Sequence, residues 1–118
     1  MFNDAILDHF QHPRNAGTLP DATALVEVSN PVCGDILRLA VRLDGGRIAE
    51  ARFKTQGCVA AIACSSVLTE LTIGKFPEEL RRITAKEISE ALGGLPPATY
   101  HAAQLCADGV VALVGKIS

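Results

Sequence analysis

The hydrophobic period of this chain changes once, at Gly57-Cys58, and that change limits the folds open to it. Before it, apolar and polar residues alternate as they do in strands with one wet face. In Ile36 to Leu43, Leu37, Leu39, Val41 and Leu43 share one face, while Arg38 and Arg42 point the other way. In Ile48 to Thr55, Ala49, Ala51 and Phe53 are expected inward and Glu50, Arg52 and Lys54 outward. Asp44-Gly45-Gly46-Arg47 between the two is a hairpin signal, and Ala24 to Ser29 reads as a first strand. After Cys58 the period is helical: Val59, Ile62, Ala63, Val67 and Leu71 form a stripe that Gly74 ends. Pro77 can open a short helix, and Thr84 with Glu87 has capping-box spacing for another, reaching about Leu92. Beyond the break Gly93-Gly94-Leu95-Pro96-Pro97, a last helix is expected from about Ala98 to Ile117. Its stripe is Ala102, Cys106, Val110, Leu113 and Ile117. A short helix over residues 3–11, halted by Pro13, precedes the sheet. A β-meander followed by helices is an α+β plan: a three-stranded antiparallel sheet with helices packed on one face.

The 118 residues suit a single domain over 1–118 that buries a core without disulfide staples. Apolar residues make up 48% but aromatics only 4%, so Leu, Ile, Val and Ala must build that core. The net charge is -2 and no Lys or Arg run can track a phosphate backbone, which argues against nucleic acid as a partner. Apolar runs such as Val110 to Val114 fall far short of the roughly 18 residues of a membrane span. Met1-Phe2-Asn3-Asp4 lacks the basic-then-apolar pattern of an export signal, so a cytoplasmic protein is expected. In a reducing compartment, four cysteines point to metal or sulfur chemistry more than to disulfides.

Four residues are candidates for that chemistry. Cys33 and Asp35 sit in the turn Asn30-Pro31-Val32-Cys33-Gly34-Asp35 just before a strand, where Gly34 permits a sharp bend. Cys58 lies at a strand-to-helix junction, where the positive end of the helix dipole favours a thiolate. His101 follows the Pro-Pro break, in the first turn of the last helix. Cys, Asp and His together are metal ligands. On residue type alone two readings stay open: a shared metal site, or two small buried cysteines and a surface histidine. His9 and His12 read as surface residues. No nucleophile-elbow turn and no phosphate-cradling glycine loop supports a hydrolase.

Asn30-Pro31-Val32-Cys33-Gly34-Asp35 and Ala51-Arg52-Phe53-Lys54-Thr55-Gln56-Gly57-Cys58 closely resemble the IscU/NifU N-terminal scaffold family. So do His9-Phe10 with Pro13-Arg14-Asn15, Ala61-Ile62-Ala63 with Ser65-Ser66, and Leu95-Pro96-Pro97 before His101. The resemblance implies a scaffold without turnover that assembles a transient 2Fe-2S cluster and passes it to recipient apo-proteins. It implies a cysteine desulfurase as sulfur donor, Cys33, Cys58 and His101 as ligands, and Asp35 as the acidic residue that keeps the cluster labile.

Two positions depart from the family. Ala102 stands where it has a third cysteine, which is a cluster ligand and receives sulfur. Cys33, Cys58, His101 and Asp35 still make four ligands, enough for tetrahedral zinc. The alternative is therefore a zinc-binding or degenerate homologue that regulates a desulfurase or accepts its sulfur without building a cluster. A further alternative is a sulfur-transfer protein with Cys58 as persulfide carrier. Cys106 lies about 6 Å further along the helix than Ala102, on the same stripe. It reads as a core residue or, alternatively, as a displaced ligand or sulfur acceptor. Cys64 reads as core, with a contact to Cys106 conceivable across the helices. Thr99 replaces the lysine of the segment read by a dedicated Hsp70-type chaperone, so that partner is not carried over.

Overall fold

The strands β1 (Ala24–Ser29), β2 (Ile36–Asp44) and β3 (Arg47–Gln56) form an antiparallel meander in the order β1-β2-β3. The structure is a computed structural model that describes residues 2–117; Met1 and Ser118, the ends of the domain expected over 1–118, lie outside the described residues. Leu37, Leu39 and Val41 face the core, as the alternation requires. On the opposite face Arg38 pairs with Glu27 at 2.6 Å, and Arg42 and Arg52 both reach Glu50 at 3.1 Å.

One inward assignment is corrected. Arg42 pairs with Glu50 but Leu43 pairs with Ile48, which leaves Ala49 as an extra residue in β3. This bulge shifts the alternation by one, so Ile48 is buried and Ala49 only half-buried. The inward set is Ile48, Ala51 and Phe53.

The sheet edges are both engaged. Along β3, Gly17 N–H donates to the Phe53 carbonyl at 2.9 Å and Phe53 N–H to that of Asn15 at 3.0 Å. At β1, the Lys116 ammonium caps the Leu25 carbonyl at 3.1 Å, a charge that discourages edge pairing.

The helices are α1 (Asp4–Gln11), α2 (Val59–Thr72), α3 (Pro77–Leu80), α4 (Ala85–Ala91) and α5 (Tyr100–Ile117). A 3-10 turn, Pro97–Thr99, delays α5 to Tyr100, two residues later than expected; Thr99 N–H reaches back to Pro96 in the tighter i to i+3 pattern. The single stripe expected for α2 is too narrow. Ala60, Ala61, Cys64 and Leu68 are fully buried, and so are Ser65, Ser66, Thr69 and Thr72. The helix is central, flanked by β3, α1 and α5, and a helix enclosed on most sides shows no strong amphipathic period. No helix among the described residues is long and apolar enough to cross a membrane.

His9 is not a simple surface residue. Its Nδ1 lies 2.8 Å from the Ser66 hydroxyl and its Nε2 lies 3.5 Å from Glu70, with the side chain 12% exposed. Ser66 Oγ also accepts the Arg14 N–H at 2.8 Å, so one α2 hydroxyl holds both α1 and the segment after it. The neutral tautomer with hydrogen on Nε2 satisfies both histidine contacts. Burial first, then the Arg14 charge, holds His9 below the usual histidine pKa.

Candidate metal centre

Sheet register builds the first half of the site. Ile36 at the start of β2 pairs with Gln56 at the end of β3. The residue before one strand, Asp35, therefore stands beside the residues after the other, Gly57 and Cys58. Asp35 is 5% exposed, an unusual burial for a carboxylate outside an ion pair or metal site. It fits there because residue 57 has no side chain: a Cβ at Gly57 would lie 2.6 Å from Asp35 Oδ1 and 2.8 Å from its Cγ.

Cys58 is the N-cap of α2, and its Sγ stands 3.8 Å from Asp35 Oδ2. His101, in the first turn of α5, places Nε2 3.6 Å from the same oxygen. One ligand atom from each of Asp35, Cys58 and His101 falls within 4.8 Å of the others, and no other such group of three occurs among the described residues. The separations are informative. At 3.6 Å a nitrogen and an oxygen are too far apart for a good hydrogen bond. Metal bonds of about 2.0–2.3 Å in tetrahedral array set ligand atoms about 3.3–3.8 Å apart. The separations of Cys58 and His101 from Asp35 Oδ2 are thus those of edges of a coordination tetrahedron, and three donors leave its fourth corner open.

Cys33 stands outside that group. It is exposed on the loop between β1 and β2, whose Val32 is 91% exposed. The Asn30 side chain accepts the N–H groups of Val32 at 3.0 Å and Cys33 at 3.4 Å, and Gly34 takes φ +76° to turn the chain back into β2. The loop closes on itself, and Asp35 rather than Cys33 is carried inward. Sequence reasoning brought four residues to one point; the structure clusters three and leaves the fourth on the adjoining loop.

Ala102 and Cys106 are fully buried. Cys106 Sγ lies 3.9 Å from the Ser65 hydroxyl, which bonds Thr55 at 2.7 Å and the Ala61 carbonyl at 2.8 Å. Of the two readings open for Cys106, this placement matches a core residue, apart from the donor group. Cys64 is buried beside it. The neighbouring Cys106 thiol and then burial push the Cys64 thiol far above its usual range. Gly57, which makes room for Asp35, was missed, although a Gly immediately before a candidate cysteine at a strand–helix junction is a readable signal.

A meander capped by helices, with a Cys/Asp/His donor set where its strands begin and end, defines a class of metal-handling α+β domain. Comparison with known proteins assigns it: the chain belongs to the NifU-like N-terminal domain family, whose model matches residues 1–117. The iron-sulfur cluster assembly scaffold protein IscU 1 of Archaeoglobus fulgidus is 46% identical over 110 residues, covering 93% of this chain and 72% of that protein. The scaffold protein IscU of Haemophilus influenzae is 38% identical over 117 residues, covering 96% of this chain and 92% of that protein. In fold, the chain is similar to the N-terminal NifU-like protein of Brucella abortus, with TM-score 0.78, 20% identity, and coverage of 98% and 92%.

Proposed function

We propose that this chain is an assembly scaffold on which iron and sulfide, as cargo, are joined into a transient cluster and handed on. The observation that carries the reading is the spacing of Asp35, Cys58 and His101, three donors poised around one metal position. Cys33, on its exposed loop, supplies the remaining ligand when the loop folds over the open corner. The donor set suits temporary custody. Thiolates hold iron strongly, whereas the Asp35 carboxylate is a harder, more exchangeable ligand. The family match supports a holding role without turnover, with a cysteine desulfurase as sulfur source and apo-proteins as recipients; we assign it to the reducing cytoplasm. The cluster we assign is of the 2Fe-2S type.

Anaerobic incubation of the chain with ferrous iron, cysteine and a desulfurase tests this. A visible-absorbing cluster that moves to an apo-ferredoxin is expected. No chromophore under those conditions overturns the reading.

Ala102 favours a second reading. It is fully buried and offers no donor, so Cys33, Cys58, His101 and Asp35 are the whole ligand set and would complete a zinc tetrahedron. One zinc per chain, unmoved by the desulfurase system in metal analysis, would replace cluster assembly with a zinc-holding role. Sulfur added to Cys58 by the desulfurase, read by mass spectrometry, would instead mark a persulfide carrier.

A further inference from the structure

Cys64 and Cys106 are fully buried free thiols that take no part in the donor group. They sit on the two helices that carry site ligands. Cys64 follows Cys58 by about 9 Å along α2, and Cys106 follows His101 by about 7.5 Å along α5, at 1.5 Å per residue. The two thiols therefore reach the same depth behind the site, where α2 and α5 pack together. They are neighbours there: Cys106 Sγ lies 3.9 Å from the hydroxyl of Ser65, the residue after Cys64, and the Cys106 thiol is the largest influence on that of Cys64.

We propose that Cys64 and Cys106 are a redox-responsive dithiol that closes to a disulfide tying α2 to α5 behind the metal centre. With a peroxide as oxidant the step balances. One thiol, as its thiolate, attacks a peroxide oxygen; the O–O bond breaks, giving a sulfenic acid and one water. The second thiol attacks that sulfur, the S–O bond breaks, and a second water leaves. The thiols lose two electrons and two protons in all, and the peroxide becomes two waters. Closure fixes the distance between the helix bearing Cys58 and the helix bearing His101. Because both thiols are sealed in the core at rest, the device answers sustained oxidant reaching them as α5 opens, and not a brief pulse. The cross-link forms or fails to form whatever the site binds, so its test is separate from that of the scaffold reading.

The experiment uses the full chain with Cys33→Ser and Cys58→Ser, both at exposed positions, which leaves only Cys64 and Cys106. After hydrogen peroxide, the intact mass is expected to fall by about 2 Da as both thiols are lost. A non-reducing digest should join the two cysteine peptides. The thermal midpoint should rise by on the order of 10 °C and return with reductant. Adding Cys106→Ala to that background should abolish both the mass loss and the rise. A mass gain of about 32 Da from sulfinic acid, a disulfide between chains, or two thiols still reduced after oxidation under mild urea would each overturn the proposal.

Discussion

At the scale of single residues, the site depends on a side chain that is absent. Asp35 occupies the space that any Cβ at position 57 would claim. Gly57→Ala is expected to displace the carboxylate while the core, which does not include position 57, stays folded. Metal affinity should fall about tenfold or more, the usual effect of disturbing a group that positions a ligand. Zinc titration against a competing chromophoric chelator, with circular dichroism to check folding, measures both. The candidate donors were legible beforehand through the family motifs, since residue type alone left Cys33, Cys58 and His101 open to a bland reading. The exclusion of Cys33 from the clustered group was not. That depends on how Asn30 and Gly34 close the loop in three dimensions.

Among the elements, α1 is held to α2 by His9, and that contact carries a pH dependence. Its folded-state pKa lies below the ordinary value of 6.5, so the unfolded chain binds the extra proton first as pH falls. The contribution is therefore fully present above about pH 6.5 and is lost as pH falls through the lower folded value. Asp8 and Glu70 favour the protonated form and Arg14 opposes it, so burial, the largest cause, sets the direction. Amide-exchange protection factors in α1, taken relative to the intrinsic exchange rate at each pH, should fall between neutral and mildly acidic pH, and His9→Gln should flatten that trend. The cap of α4 is simpler. Thr84 Oγ1 accepts the Glu87 N–H at 3.1 Å, so Thr84→Ala should cost about 1 kcal/mol. A thermal midpoint lower by about 4 °C would register it. This cap was visible as a sequence motif, since capping is local; the His9 to Ser66 contact, spanning two distant segments, was not.

For the whole molecule, α2 is the keystone. Leu68 is fully buried on this helix, which packs against β3, α1 and α5, so Leu68→Ala should leave a cavity costing about 2–5 kcal/mol. Against a total stability of about 5–15 kcal/mol, that is a large fraction. The urea midpoint should fall markedly, and metal binding at Cys58 and His101 should weaken with it, because both helices lean on this core.

The strand alternation, the hairpin, the caps and the α+β plan follow from local pattern, because side-chain period and turn chemistry act over a few residues. The family motifs were likewise contiguous and readable. The bulge at Ala49, the enclosure of α2, the burial of Asp35 against Gly57 and the meeting of Cys64 with Cys106 were decided only in the folded chain. Each depends on the register or packing of segments far apart in sequence, and no local period encodes which residues of two distant elements come to face each other.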